Sequence, residues 1–218
     1  MLKCAILALS LTLATPPKVT FKQESHDRAG WYEVSATIPT FSGNEIAKLA
    51  SRECAKIARD RMAEFRDEYD RNDKPDRIGY FDWSPVVSLL TDSMVSLYAH
   101  SDTYTGGAHG NRDFVGLNFA MVAGKPKRIV LADLMDPGAD PVVTASELVI
   151  PKLRAMNASS VIDGGVTQVT PQQADNFVVT PAGITWLFSP YEVASYAEGH
   201  FFVKVTWEEM KGKISRDR

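Results

Sequence analysis

The side chains able to bind or react fall in two stretches of the chain. In the first, His100, Asp102, His109 and Asp113 surround a glycine-dense turn, Tyr104-Thr105-Gly106-Gly107-Ala108-His109-Gly110. If a hairpin closes at those glycines, antiparallel pairing would draw His100, Asp102 and His109 together, as a metal site requires. The four histidines, which include His26 and His200, form no His-x-x-x-His pair, and there is neither a cysteine pair nor a carboxylate-rich calcium loop. The simpler expectation is that His109 hydrogen-bonds backbone and sets the shape of the turn. Neither a metal nor a cofactor is expected. Gly106, Gly107 and Gly110 permit positive φ, and their free N–H groups could cradle an anion or a ligand carboxylate, although most such loops only turn the chain.

The second stretch is Phe188-Ser189-Pro190-Tyr191-Glu192-Val193-Ala194-Ser195-Tyr196-Ala197-Glu198-Gly199. Pro190 interrupts a strand pattern and Gly199 closes the segment, which leaves Tyr191 and Tyr196 in a loop or short helix. Loop aromatics bring large contact area at low entropic cost, so both rings either meet a ligand or pack on the domain's own core with hydroxyls bonded to backbone. Glu192 and Glu198, with Asp102 or Asp113 opposite, would be the carboxylates of a glycosidase, but their spacing is not diagnostic. No Gly-x-Ser-x-Gly elbow occurs. Nothing in the sequence places an activating base beside Cys54, which reads as a small core residue of a helix.

The elements that must position these residues follow from periodicity. Met94, Ser96, Tyr98 and His100 alternate with Val95, Leu97 and Ala99 before the turn, and Phe114, Gly116 and Asn118 alternate with Val115, Leu117 and Phe119 after it. That is the period of strands. Strands are also expected at 31–39, 84–90, 177–180, 183–188 and 201–207, with Val19 and Phe21 able to begin another. Ile46, Leu49, Ala50, Ile57, Ala58, Phe65 and Tyr69 recur at helical spacing and predict one long amphipathic helix from Glu45 to Asp70, capped by Asn44 or Ser42. A second helix is expected over Thr144–Met156 with Val149, Leu153 and Met156 inward, ended or kinked by Pro151. Residues 157–174 read as a long polar connection.

At 218 residues, 44 % hydrophobic and 23 % charged, the chain can bury a substantial core. Met1 to Thr15 carries one early charge, Lys3, an apolar run from Cys4 to Leu13 and small residues after it, the pattern of a signal peptide. Cys4 lies too early to be a lipoprotein cysteine. Cleavage after Ala14 would remove Lys3 and no acid, which changes 24 bases against 27 acids to 23 against 27, a net charge of −4. That mildly acidic balance offers no electrostatic case for nucleic acid or anionic lipid. No later stretch is long and apolar enough to anchor in a membrane.

Taken together, Ser96 to Gly110, Leu117-Asn118-Phe119 with Gly124-Lys125, Leu131-Ala132-Asp133-Leu134, and the segment from Phe188 to Gly199 resemble one bacterial family. It comprises the extracytoplasmic domain of the RsiV-type anti-sigma factors and the accessory domain of PdaC-type peptidoglycan deacetylases, and it also occurs in lone secreted proteins. The likeness runs from about residue 30 to 212. The order of elements reads as an α+β fold, with two helix-on-antiparallel-sheet units packed as one protein, and the resemblance implies that it is secreted or periplasmic. A polar break at Arg71-Asn72-Asp73-Lys74-Pro75-Asp76 would separate a first unit, 16–75, from a second, 76–218. The resemblance also implies a binding role, because some members grip lysozyme and those beside deacetylases are taken to hold cell-wall material. Carried onto this chain, the candidate ligand-binding residues are Tyr104, Gly106, Gly107, His109, Pro190, Tyr191, Glu192 and Tyr196, and partner choice would lie in 157–174. Unlike the anti-sigma factors, the chain has no membrane-crossing segment after its leader, so a signalling role is not carried over. The expectation is a non-catalytic domain that binds a lysozyme-like protein or a cell-wall glycan. The alternative is a peptidoglycan hydrolase or deacetylase using His109 with Asp102 or Glu192.

Overall fold

The computed structural model describes residues 17–71 and 76–214, so the expected signal segment lies outside the described residues. Two sheets and a long helix organise the chain. The first sheet has six strands in sequence order: β1 (Lys18–Ser25), β2 (Tyr32–Ser42), β3 (Gly79–Leu90), β4 (Met94–Tyr104), β5 (Asn111–Val122) and β6 (Lys125–Arg128). Between β2 and β3 runs α1 (Glu45–Asp70), capped by the Asn44 side chain, which accepts from the backbone of Ile46 and Ala47. The second sheet joins β7 (Phe177–Thr180), β8 (Gly183–Phe188) and β9 (Phe201–Thr206), and α2 (Pro141–Ala155) packs on it.

Strand alternation decides the layers. Val34, Ala36, Ile38, Val95, Leu97, Ala99, Leu117 and Phe119 face α1, which answers with Ile46, Ala50, Cys54, Ala58, Met62 and Phe65. Each fully buried large side chain among them contributes about 1.5–3 kcal/mol. The other face of β3, β4 and β5 meets β7, and every residue of β8 is buried because that strand lies between the first sheet and α2. The layer order is helix, sheet, sheet, helix.

Several expectations need correction. The division at 75/76 falls inside one sheet, because β2 pairs with β3 in register Tyr32↔Gly79 to Ala36↔Trp83. That pair is parallel, as it must be when a helix carries the chain from one strand to its neighbour on the same sheet. The second helix starts earlier than expected, with Asp140 as its cap, and it continues through Pro151. Burial of Ala145, Leu148, Val149 and Leu153 along one face outweighs the lost hydrogen bond at the proline. Met156 is exposed rather than inward. Within 157–174 the chain forms two single-turn helices, α3 (Ser159–Ile162) and α4 (Pro171–Ala174).

The two sheets are joined by polar side chains. β6 pairs with β5 only from Phe119 to Val122, which leaves the outer edge of β5 before Phe119 without a strand partner among the described residues. Asn176 takes that role: its Oδ1 accepts the Gly116 N–H at 2.8 Å, and its Nδ2 donates to the Phe114 carbonyl at 3.1 Å. Ser189 Oγ accepts the Phe114 N–H at 3.0 Å. Farther along, the Asn118 amide donates to the Phe177 carbonyl, and Ser96 Oγ accepts the Val179 N–H, each at 2.8 Å. Gly116 permits the approach, since a Cβ there would lie 2.0 Å from the Phe177 carbonyl oxygen.

Two outcomes follow from this packing. Asn176→Ala strands the Gly116 N–H and the Phe114 carbonyl, and should lower unfolding free energy by about 2–4 kcal/mol in urea titrations; a loss below about 1 kcal/mol would show that water satisfies this edge. Burial pushes the Cys54 thiol up to about 12, so a disulfide reagent near pH 8 should label it only after unfolding.

Candidate functional site

At the β4–β5 end of the first sheet, the glycine turn and the Pro190–Gly199 segment touch. Tyr196 donates its hydroxyl to the Gly110 carbonyl at 2.7 Å, and its ring stacks on His109 with centroids 3.9 Å apart. Tyr191 lies 5.4 Å from the Tyr196 ring, and its hydroxyl is 3.4 Å from His109 Nε2. His109 Nδ1 is 2.8 Å from the Gly110 carbonyl. A carbonyl can only accept, so Nδ1 carries a proton and faces the Gly110 carbonyl, while Nε2 faces the Tyr191 hydroxyl. The expected role of His109 in shaping the turn is therefore realised, and the ring also forms part of an exposed aromatic stack.

The turn is braced from its other side by Tyr104, which donates to the Gly107 carbonyl at 3.1 Å, accepts from Arg77 at 2.9 Å and stacks on Tyr80. Gly106 has φ +93°, a conformation that favours glycine, whereas Gly107 has no crowding neighbour. Pro190 and Tyr196 help to line a cleft of about 340 Å³ with Tyr80, Asp102, Asn111 and Arg112. Tyr191 stands at φ +72° and is 63 % exposed. The two tyrosines thus divide: Tyr196 bonds the protein's own backbone, while Tyr191 projects into solvent.

Glu192 does not face His109. Its carboxylate accepts the Ser189 N–H, and burial raises its pKa, opposed by hydrogen bonds from Ser189 and Gln173 and reinforced by Asp113. Glu198 accepts from the hydroxyls of Ser159 and Ser195, which hold its carboxyl down at about 2. Asp102 is held by Arg112 through two bonds of 2.5 and 2.7 Å. Each of these carboxylates thus serves a local contact, and neither Asp102 nor Glu192 forms a hydrogen bond to His109. No group of three His, Cys, Asp or Glu side chains is arranged for a metal among the described residues, so the convergence of His100, Asp102 and His109 is not formed. His100 and Asp102 do approach, at 3.9 Å. Sequence reasoning missed Tyr80, Asn111 and Arg112 as cleft walls. They lie in the first residues of β3 and β5, ahead of the spans expected to be strands at 84–90 and from Phe114, so the alternation assigns them no face.

Comparison with known proteins accounts for both halves of this arrangement. Residues 25–112 match the family described as deacetylase PdaC, and residues 132–208 match the protein family of unknown function DUF3298. The chain is thus similar to two family models, each over a separate segment. The two matched segments meet at the candidate site, since the glycine turn lies in the first and Pro190–Gly199 in the second. A DUF3298 family member from Bacteroides fragilis superposes with a TM-score of 0.63 at 16 % identity, covering 93 % of this chain and 95 % of that one. A DUF3298 family protein from Pseudomonas aeruginosa does so with a TM-score of 0.60 at 18 % identity, covering 92 % and 94 %. At such identities the likeness is one of fold. No curated protein matches the chain. Among the described residues no helix is long and apolar enough to cross a membrane.

Its burial and its bond to the Ser189 N–H make Glu192 a structural acid with a testable signature. Its folded pKa lies above the ordinary 4.5, so the stability this acid contributes is whole below that value and is lost as pH rises through the raised one. Glu192→Gln keeps the acceptor and removes the titration. Its urea midpoint should therefore gain on the parent's between about pH 4 and pH 7. Parallel pH profiles for the two proteins would refute the assignment.

Proposed function

We propose that this protein is an exported, non-catalytic binding domain of the cell envelope and that its ligand is a cell-wall glycan. The observation that carries the reading is the exposed ladder of His109, Tyr196 and Tyr191, which stands beside a polar cleft. Sugar rings present apolar C–H faces that stack on aromatic rings, and their hydroxyls need donors and acceptors nearby. Asp102, Asn111 and Arg112 offer both. Tyr191 is presented by a positive-φ backbone, a conformation that costs about 1–3 kcal/mol and clusters at ligand sites. The match to a deacetylase model and the leader-like segment at residues 1–15 support a place outside the cytoplasm. His109 is engaged by Gly110 and Tyr191, and Asp102 by Arg112, which favours binding over turnover.

Calorimetric titration with soluble peptidoglycan fragments tests this, with lysozyme as a parallel titrant at two salt concentrations. Saturable glycan binding is expected, and Tyr191→Ala should weaken it by about tenfold or more while leaving the unfolding midpoint unchanged. Salt-resistant binding of lysozyme without glycan binding would reassign the partner to a muramidase-like protein. Glycan cleavage or acetate release that is lost in a folded His109→Ala variant would establish the enzyme reading.

A further inference from the structure

The open face extends well beyond the aromatic ladder. Along the strands, Val34, Ala36, Phe81 and Trp83 point toward α1, so the alternate residues point the other way: Ser35 on β2, Tyr80 and Asp82 on β3, Asp102 on β4 and Arg112 on β5. The second sheet covers this face over Ser96 and Asn118 and leaves the opposite end of the strands open. A second cleft of about 420 Å³, walled by Gln23, Glu33, Ser35 and Asp82, opens there. Tyr80 lines this cleft and the one beside Tyr196 alike. In the strand ladder it sits between Glu33 and Tyr104, 42 % exposed. One trough therefore crosses the sheet from β1 to β5, a span of four strand spacings or about 19 Å.

We infer that this trough holds an extended, unbranched glycan of several rings, with Tyr80 as the platform at its middle. The inference rests on the glycan reading above and specifies the ligand's length and charge. The middle of the floor, Ser35, Tyr80, Asp82 and Asp102, comes from β2, β3 and β4, which are paired on both sides, so the backbone there offers no free edge to a peptide. Hydroxyl, amide and carboxylate groups alternate with a ring, which suits a polyhydroxylated chain with apolar ring faces. Asp27, Glu33 and Asp82 on the far arm are acidic, and they select against uronic acids and for neutral or amino sugars. Asp82 already accepts from Ser35 at 2.6 Å and Ser84 at 2.8 Å, which holds its carboxylate in place.

The test is a titration of the protein with β-1,4-linked N-acetylglucosamine oligomers from disaccharide to hexasaccharide. Affinity should rise about tenfold or more between the shortest and longest. The double variant Gln23→Ala/Glu33→Ala should bind the disaccharide as the parent does and lose the gain with length, whereas Tyr80→Ala should weaken every oligomer. A parent affinity that does not change with length, or a gain that survives the double variant, overturns the trough while leaving the aromatic ladder as a short glycan site. Failure of all oligomers to bind, with peptidoglycan fragments also silent, overturns both readings together.

Discussion

The outer edge of β5 before Phe119 is the constraint on which the rest of the structure depends. A strand at a sheet edge presents unpaired N–H and C=O groups, and here that edge is buried under a second sheet, where each unmet group would cost about 1–3 kcal/mol. No strand among the described residues meets it. Instead Asn176 offers an acceptor and a donor with the reach of a neighbouring peptide, and Ser189 supplies a further acceptor. These contacts dictate where the second sheet sits. With Ser96 and Asn118 bonded to β7, they also dictate that it covers one end of the first sheet's face and leaves the other end open.

The candidate site is a by-product of that seam. Ser189 accepts from Phe114 through its side chain while its own N–H is held by Glu192, so the chain turns sharply at Pro190 and lifts Tyr191 outward in a positive-φ conformation. Tyr196 then closes the segment onto Gly110. Because Gly110 belongs to the β4–β5 turn, the two segments have little freedom to shift relative to each other. A surface built in this way is organised before any ligand arrives, and preorganisation lowers the cost of binding.

Much of this was legible in the residues, for identifiable reasons. The helix from Glu45 to Asp70 was readable because its apolar face repeats over seven turns and Asn44 supplies a cap. The β3–β4, β5–β6 and β7–β8 hairpins were readable from alternation and turn residues, and Ala123-Gly124 adopts positive φ at both positions as a tight hairpin turn demands. Tyr191 and Glu192, adjacent in sequence, could not be told apart in role. Their separation depends on Ser189 being anchored to a strand 75 residues away. Asn176 gave no signal, because an asparagine before a strand reads as a turn residue until the edge it covers is known.

The sequence by itself determined the local elements, the apolar face of each strand and helix, the burial of Cys54 and the two segments in which chemistry is concentrated. Those properties follow from periodicity and turn chemistry, which act over a few residues. Tertiary structure alone decided that β2 and β3 pair in parallel, that the first sheet continues past residue 75, and that the glycine turn meets Tyr196. It also decided which half of the polar face stays open to a ligand. Such outcomes arise from hydrogen bonds between groups tens of residues apart, whose partners are chosen by the geometry of the assembled layers and leave no periodic trace in the chain.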